Sequence, residues 1–412
     1  MMLPRSSIAI AALLAASTLV AQTQADPALV HARRILRASP LIDGHNDLAW
    51  VIREDKRAPR DVEAYDLRQR TSGDTDLPRL RSGQVGAQFW SVFIPGEIRD
   101  SGYAKVQLEQ IDIARRVVER YPEALSLATT ASDVTAAFRN GRIGALLGME
   151  GGHAIENSLG ALRSYYRLGV RYMTLTHNVT LDWADAAMDV PRHNGLTPFG
   201  KEVVREMNRL GMIVDISHVT PKVMHDVLDV TEAPVMFSHS SAMALTDHPR
   251  NVPDDVLRRL GKNGGVVMVT FIPAFVSQPV ANWELRLSEL TRGKPPAEAA
   301  RIGAEFGRPN PKPVATLKDV ADHIDHVRKT AGVDAVGIGS DFWGDPEMPK
   351  GLEDASRFPH LFAELIRRGW SDADLIRLAG GNILRVMRGT EVAAARIQRR
   401  RPASTATFEQ LH

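Results

Sequence analysis

Side chains able to bind a metal ion or to transfer a proton recur along the sequence where short apolar segments end. His45 and Asp47, two residues apart, follow the first of these segments. The others, each after a different apolar segment, are Glu150, His177, His218, His239 and Asp341. Imidazole and carboxylate groups bind zinc, and also iron, manganese and cobalt. Because buried charges are costly unless they pair or bind metal, this repetition predicts a metal centre and not a set of structural histidines.

The order of these residues along the chain also predicts how they divide between metal ions. His45 and Asp47 share one strand end, whereas His218 and His239 follow two consecutive strands. Glu150 lies between the two groups in the chain, and its two oxygens can bridge two ions. Two metal ions about 4 Å apart would hold a hydroxide between them and polarise a carbonyl group. Such a centre needs no nucleophilic side chain, and the chain has no Cys to supply a thiolate.

The elements that must position these residues are eight short apolar segments separated by amphipathic stretches. This alternation is typical of parallel strands joined by helices. The predicted strands are residues 41–43, 85–94, 143–149, 170–176, 212–217, 235–238, 266–271 and 335–340. Eight such units predict an α/β fold, a TIM-like (β/α)8 barrel, with an open doubly wound sheet as the alternative. In a barrel all strands end at one mouth, so we expect a binuclear metal site at the C-terminal mouth.

The two ends of the chain differ in composition from its centre. Residues 1–25 have the pattern of a signal peptide, which predicts an exported protein, periplasmic or secreted. Their apolar run is shorter than the ~20 residues of a membrane span, so no stable membrane anchor is expected. Residues 26–392 are predicted to form the barrel domain, with an insertion at about 278–312, and residues 393–412 a polar C-terminal tail. The net charge of +2 gives no reason to expect a nucleic-acid partner.

Two further features lie outside the strand ends. The insertion follows a strand and is therefore expected on the mouth side of the barrel, as a lid, an oligomer contact or a surface decoration. His323 and His326 lie three residues apart in a helical stretch and are predicted to be on a solvated helix face.

Several motifs around the candidate ligands resemble those of a known family. They are IDGHNDL at 42–48, GMEGGH at 148–153, LTHN at 175–178, DISH at 215–218, FSHS at 237–240, HPRNVPDD at 248–255 and GIGSDF at 337–342. In these segments the chain resembles the membrane (renal) dipeptidase family, peptidase family M19. The resemblance runs from about residue 30 to about residue 390, which is nearly all of the predicted mature chain.

The resemblance implies two Zn2+ ions per chain and a role for each candidate residue. One zinc ion would be bound by His45, Asp47 and Glu150, and the other by Glu150, His218 and His239. His177 matches the histidine that contacts the substrate and stabilises the oxyanion. Arg250 matches the arginine that binds the free carboxylate of the substrate, and Asp341 the aspartate that transfers the proton to the leaving amine.

The implied function is zinc-dependent hydrolysis of free dipeptides, including those with a C-terminal D-residue. The family commonly forms dimers, which implies a homodimer. One departure concerns substrate preference: where the family usually has Asp-Phe-Asp-Gly, this chain has Trp343 in place of the second aspartate. Two alternatives stay open. The first is an N-acyl amino-acid deacylase or another binuclear amidohydrolase on the same barrel, and the second is a catalytically silent periplasmic binding protein.

Overall fold

Parallel strands form the centre of the structure, a computed structural model that describes residues 26–98, 102–344 and 347–411. The strands are β1 (Leu41–Asn46), β2 (Val85–Ser91), β3 (Leu125–Leu127), β4 (Ile143–Glu150), β5 (Val170–Thr174), β6 (Ile213–Asp215), β7 (Met236–Ser240), β8 (Val266–Val269) and β9 (Val336–Ile338). Each of the eight predicted strand segments overlaps one of these strands, although β1, β4 and β7 extend beyond the predicted ends. The predicted signal peptide, residues 1–25, lies outside the described residues.

Eight of the strands close into a barrel. Their order is β2-β1-β9-β8-β7-β6-β5-β4, and β2 also pairs with β4, so that the sheet closes. The prediction of a (β/α)8 barrel is therefore confirmed, and the open doubly wound sheet is excluded. The ninth strand, β3, was not predicted. It pairs with the first three residues of β4, and β5 takes over the same edge from Leu147 onward.

Helices connect the strands and cover the barrel. They are α1 (Pro27–Ala38), α2 (Leu48–Arg53), α3 (Leu77–Ser82), α4 (Tyr103–Arg120), α5 (Ala131–Arg139), α6 (Leu159–Arg167), α7 (Pro198–Leu210), α8 (Pro221–Val230), α9 (Asp254–Asn263), α10 (Pro273–Val276), α11 (Gln278–Thr291), α12 (Pro296–Gly307), α13 (Leu317–Ala331), α14 (Phe358–Arg367), α15 (Asp372–Ile376), α16 (Asn382–Gln398) and α17 (Phe408–Leu411). None of the helices in the described ranges is both long enough and apolar enough to cross a bilayer.

The starts of α7 and α8 show how the sequence sets the helix boundaries. Each begins with a Thr-Pro pair, in which the threonine side chain accepts a hydrogen bond from a backbone N–H of the first turn. Proline at the first helical position loses no hydrogen bond, because that N–H has no partner within a helix. α7 ends at Gly211, which has a φ of 85°. This left-handed conformation favours glycine and stops the helix.

The helix α16 covers the N-terminal end of the barrel. Asn382 donates hydrogen bonds to the carbonyl oxygens of Val333 and Val336, directly before and at the start of β9. Its apolar side chains join the barrel interior in one cluster of buried residues. The helix also crosses the predicted domain end at residue 392, since Ala393 and Ile397 continue its buried face. The segment expected to be a polar tail therefore begins inside a packed helix.

The barrel interior is too narrow for side chains at several positions. At Gly339, just beyond β9, a Cβ atom would lie 1.9 Å from the carbonyl oxygen of Ser238 and 3.0 Å from Cβ of Met268. The obstructing atom belongs to the backbone of β7, which cannot move independently of the barrel. Glycine at this position is therefore a packing requirement.

We expect Gly339→Ala to lower the free energy of unfolding by about 1–3 kcal/mol, because it overpacks the barrel. Urea unfolding followed by circular dichroism measures this. Gly303→Ala is the matched control, since the nearest atom to its added Cβ is Leu287 Cδ1 at 3.7 Å. Gly303 lies in α12, where alanine is favoured over glycine by about 1 kcal/mol. Equal unfolding midpoints for the two variants would contradict the packing argument.

Candidate metal centre

The predicted site residues all lie at the C-terminal mouth of the barrel. His45 and His239 lie near the ends of β1 and β7, and Glu150 is the last residue of β4. The remaining candidates follow other strand ends: Asp47 follows β1, His177 follows β5, His218 follows β6, Arg250 lies in the loop after β7, and Asp341 follows β9. Apart from the deeply buried His45, all of them line one cavity of about 450 Å³.

Two of these residues have an unusual backbone conformation. His218 has a φ of 66° and Asp341 a φ of 63°. Left-handed backbone is uncommon for residues other than glycine, and costs of order 1–3 kcal/mol where the surroundings enforce it. In both cases the chain turns sharply where the strand ends. Such strain is found preferentially at functional sites.

Glu150 is at the centre of the cluster and is buried. Its Oε1 lies 2.9 Å from His218 Nε2 and 3.3 Å from His239 Nε2. Its Oε2 lies 3.4 Å from His45 Nε2. The two oxygens of one carboxylate thus face different histidines, which is the arrangement expected of a residue shared by two half-sites.

The half-site around His45 also contains two other carboxylates. His45 Nε2 lies 3.3 Å from Asp47 Oδ2 and 3.8 Å from Asp341 Oδ1. In the other half-site, the Nε2 atoms of His218 and His239 are only 2.9 Å apart. Three groups of residues can each place three ligand atoms within 4.8 Å of one another. They are His45, Glu150 and His239; Glu150, His177 and His218; and His45, Asp47 and Asp341.

The three histidines around Glu150 are oriented through their other ring nitrogen. His45 Nδ1 lies 2.8 Å from the hydroxyl of Tyr172. His218 Nδ1 lies 3.1 Å from Oδ1 of Asn178, and His239 Nδ1 lies 2.7 Å from Oγ of Ser238. Oδ1 of Asn178 only accepts, so the Nδ1 of His218 carries the hydrogen and its Nε2 is free to bind a metal. Bonds of this kind fix the orientation of metal-binding histidines.

Metal ions suit these residues for a further reason. His45 Nε2 and Asp47 Oδ1 are both buried, and neither makes a hydrogen bond to any part of the chain that the structure describes. Unsatisfied buried polar atoms are costly, and a bound cation removes that cost. The donor set of imidazole nitrogens and carboxylate oxygens suits zinc and similar divalent ions. The residues therefore fit a metal centre.

At His218, His239 and Glu150 the electrostatics favour the protonation states that metal binding needs, whereas the surrounding negative charge raises the pKa of His45 well above its usual value. Burial lowers the pKa of His218 and of His239 well below the usual value, so both are neutral. Burial alone would raise the pKa of Glu150, but the charge of the nearby His45 and the close contacts with His218 and His239 lower it far below its usual value. Metal ligands must be neutral imidazoles and ionised carboxylates.

Two buried aspartates hold the neighbouring strands together beneath the cluster. Asp43 accepts hydrogen bonds from the backbone N–H (2.7 Å) and Oγ (2.6 Å) of Ser340, and so joins β1 to the residues after β9. Asp215 accepts equivalent bonds from Ser238 at 2.8 and 2.6 Å, which join β6 to β7. The backbones of β1 and β9 are paired at a single position, and so are those of β6 and β7. The carboxylates thus replace backbone bonds at the positions that carry His45, His218 and His239.

Arg250 forms part of the cavity wall, although only 2% of its surface is exposed. Its guanidinium stands 5.2 Å from the ring centre of Phe275, and Nη2 donates to the carbonyl oxygen of His239 at 3.5 Å. Nη1 is buried and has no hydrogen-bond partner among the described residues. Burial lowers the pKa of Arg250 to about 10, so the group is still a cation at neutral pH. A buried cation with a free donor beside a cavity suits an anionic ligand group.

His177 and Asp341 are at the cavity side of the cluster. His177 Nε2 lies 4.0 Å from Glu150 Oε1, and its ring packs between Phe93 (4.7 Å) and His218 (4.5 Å). Burial lowers the pKa of His177, which keeps the imidazole neutral. Burial raises the pKa of Asp341 to about 7, and the nearby Asp47 adds to this shift whereas His45 opposes it.

The rim of the cavity is largely apolar. Trp343, which replaces the usual aspartate of the family motif, is 50% exposed, and Met188 is 49% exposed. Trp50 packs edge-on against Phe93 at 5.0 Å. Exposed apolar side chains around a polar centre are typical of ligand-binding cavities.

The structure also corrects the predicted position of His323 and adds residues that the sequence did not reveal. His323 is buried, and does not lie on a solvated face: its Nδ1 accepts from the N–H of Ala242 and its Nε2 donates to the carbonyl oxygen of Val276. The helical spacing was correct, but this histidine faces the barrel. The partners of the ligand histidines were also missed. Asn178 and Ser238 each adjoin a candidate residue in the sequence, whereas nothing marked Tyr172.

Comparisons with known proteins agree with this geometry. Residues 29–401 match the membrane dipeptidase family, peptidase family M19. The probable dipeptidase PvdM from Pseudomonas aeruginosa is 25% identical, with a TM-score of 0.78, over 89% of this chain and 99% of that one. The dipeptidase AC, a metallopeptidase of family M19, is also 25% identical, with a TM-score of 0.71, over 85% of this chain and 98% of that one.

A third structure shares the fold at lower identity. It is a metallopeptidase from Rhodobacter sphaeroides liganded with a phosphinate mimic of the dipeptide L-Ala-D-Ala. It is 24% identical, with a TM-score of 0.69, over 85% of this chain and 99% of that one. The family match covers most of the sequence, including every candidate site residue. The chain belongs to the membrane dipeptidase family, peptidase family M19, and is a metallo-dipeptidase.

Proposed function

We propose that the protein hydrolyses the amide bond of free dipeptides with two Zn2+ ions at the mouth of the barrel. The observation that carries this proposal is the position of Arg250. Its buried guanidinium has a free Nη1 and lines the same cavity as the candidate metal ligands. A fork-shaped cation close to the reacting centre selects a substrate whose free carboxylate is near the scissile bond. In a dipeptide the carboxylate is one residue away.

The ligand assignment follows the two faces of Glu150. We propose that His45, Asp47 and Glu150 bind one ion, and that Glu150, His218 and His239 bind the other. The distances from Glu150 Oε2 to His45 and from Oε1 to His218 and His239 support this division. When bound, the ions would supply a water nucleophile and polarise the scissile carbonyl group.

The side chains around the ligands have separate tasks in this proposal. His177, neutral and at the cavity side, donates a hydrogen bond to the oxygen on which negative charge develops. Asp341 lies 3.8 Å from His45 through its Oδ1 and also lines the cavity. From there its carboxylate accepts a proton from the attacking water and returns it to the amine, which leaves only when protonated.

We also propose that the C-terminal residue of the substrate is accepted in the D as well as the L configuration. Arg250 contacts the carboxylate and not the side chain, so it does not discriminate between the two configurations. The cavity of about 450 Å³ is larger than a dipeptide of two small residues requires.

The proposed activity is tested with purified protein and L-Ala-L-Ala, L-Ala-D-Ala, their N-acetyl forms and their C-terminal amides. We expect cleavage of both free dipeptides, loss of activity with a chelator and its recovery with zinc. The amides should be poor substrates because they have no carboxylate for Arg250. Preference for the N-acetyl compounds, with release of acetate, would instead establish a deacylase. Absence of cleavage of every compound by the zinc-loaded protein would favour a binding protein.

Asp341 and His218 should separate catalysis from metal binding. We expect Asp341→Asn to keep its bound metal but to lower kcat by at least about 100-fold, because proton transfer contributes about 10²–10⁴. His218→Ala should lower the metal content, since it removes a ligand of one ion. Elemental analysis beside steady-state kinetics measures both effects.

His326→Ala is the control for these two variants. His326 is also a histidine with a carboxylate partner, Asp254 Oδ1 at 2.7 Å, but it lies on α13 and does not line the cavity. It should keep both metal and turnover. If His218→Ala instead has full metal occupancy and a normal rate, His218 is not a metal ligand.

We further propose that residues 1–25 direct export, on the sequence pattern alone. In a Gram-negative host, the full chain should accumulate in the periplasm with a mass that corresponds to cleavage after Ala21 or Ala25. A variant that lacks residues 2–25 should stay in the cytoplasm. An uncleaved full chain in the membrane fraction would contradict the proposal and indicate an anchor instead.

A further inference from the structure

The insertion brings a charged side chain to the mouth of the barrel. Within it, α11 packs on the barrel through Val280 and Ala281, which are buried. Glu284 lies four residues after Val280, on the same face of the helix and one turn further along. Its side chain lines the cavity that contains the candidate metal ligands, and 42% of it is exposed. The insertion therefore contributes directly to the substrate cavity.

The charge of Glu284 is only partly neutralised. Lys312 Nζ lies 3.0 Å from Glu284 Oε1, but also 2.5 Å from Glu347 Oε2. One ammonium group is thus shared by two carboxylates, so Lys312 does not neutralise Glu284 alone. The same ammonium stands 5.7 Å from the ring centre of Trp283, which helps to hold it in place.

Glu284 and Arg250 belong to the same wall of the cavity. The loop that carries Arg250 is bonded to α10 and to the start of α11: Asn251 Nδ2 donates to the carbonyl oxygen of Phe275 at 2.8 Å, and the N–H of Asp247 donates to Gln278 Oε1 at 2.7 Å. Arg250 itself stands over Phe275. A substrate residue whose carboxylate pairs with Arg250 therefore has α11 beside it.

On the basis of the dipeptidase function proposed above, we propose that Glu284 selects dipeptides whose C-terminal residue carries a cationic side chain. Such a side chain has an apolar stem and a charged end. The stem would lie along the apolar part of the rim, to which Ile272, Phe275 and Trp343 contribute, and the charged end would reach Glu284. Burial of methylene groups and pairing of the ammonium then act together.

The size of the preference follows from the exposure of Glu284. Partly exposed ion pairs contribute modestly, so we expect a preference of about three- to five-fold over an uncharged side chain of equal length. Because such pairs are screened by salt, the preference should fall as ionic strength rises.

The test compares kcat/KM for L-Ala-L-Lys, L-Ala-L-norleucine and L-Ala-L-Glu at low and high salt. The natural protein should prefer the lysine compound over norleucine by about three- to five-fold at low salt, with the glutamate compound poorest. Glu284→Gln should bring the ratio of lysine to norleucine close to one. Glu289→Gln is the matched control, since Glu289 lies on the same helix and pairs with Arg286 at 3.0 Å, but does not line the cavity.

The outcomes separate this inference from the function on which it rests. Cleavage of all three dipeptides with equal efficiency, or a lysine preference that Glu284→Gln leaves unchanged, would overturn the role of Glu284 and leave the dipeptidase intact. Loss of the preference in Glu289→Gln as well would assign it to the general charge of α11 and not to the cavity. If none of the three dipeptides is cleaved, both the dipeptidase function and the role of Glu284 fail.

Discussion

The arrangement of the mouth depends on one buried carboxylate, that of Glu150. Three imidazoles meet its two oxygens within 3.4 Å, although the group has almost no contact with water. Burying an ionised carboxylate costs several kcal/mol unless opposite charge and hydrogen bonds replace the lost hydration. The surrounding residues supply these partners and orient each histidine so that its Nε2 faces the centre. A metal centre is the arrangement of charge that satisfies this site.

The barrel is built to bring these groups together and to keep them there. Strand closure places the candidate ligands, at the ends of β1, β4, β6 and β7, at one mouth, although they are far apart in the chain. At the two strand pairs with the shortest ladders, Asp43 and Asp215 bind serines of the neighbouring strand. The candidate metal ligands thus lie at strand ends, whereas the loop that contains Arg250 and the insertion helix α11 form the wall of the cavity. This division is common in barrels, because loops vary without disturbing the core.

Much of the fold and of the site was predictable from local signals. Each predicted strand segment overlaps an observed strand, because short β-branched runs that alternate with amphipathic stretches are typical of parallel strands joined by helices. The short strand β3 escaped notice, since three residues are too few for a periodic pattern. His323 was misplaced because helical spacing shows that residues share a face, but not whether that face is buried. The predicted domain end at residue 392 falls inside α16 for the same reason, since Ala393 and Ala394 alone gave no sign of a buried helix face.

The sequence by itself determined the chemistry available: which residues can bind metal, that no thiol is among them, and that each lies at or just after the end of a strand. Family motifs suggested a role for each residue. Only the tertiary structure decided which oxygen of Glu150 faces which histidine, that Tyr172 lies 2.8 Å from His45, and that Glu284 reaches the cavity. The physical reason is distance along the chain. Residue types and strand ends are local properties, whereas contacts between residues more than a hundred positions apart exist only once the barrel has closed.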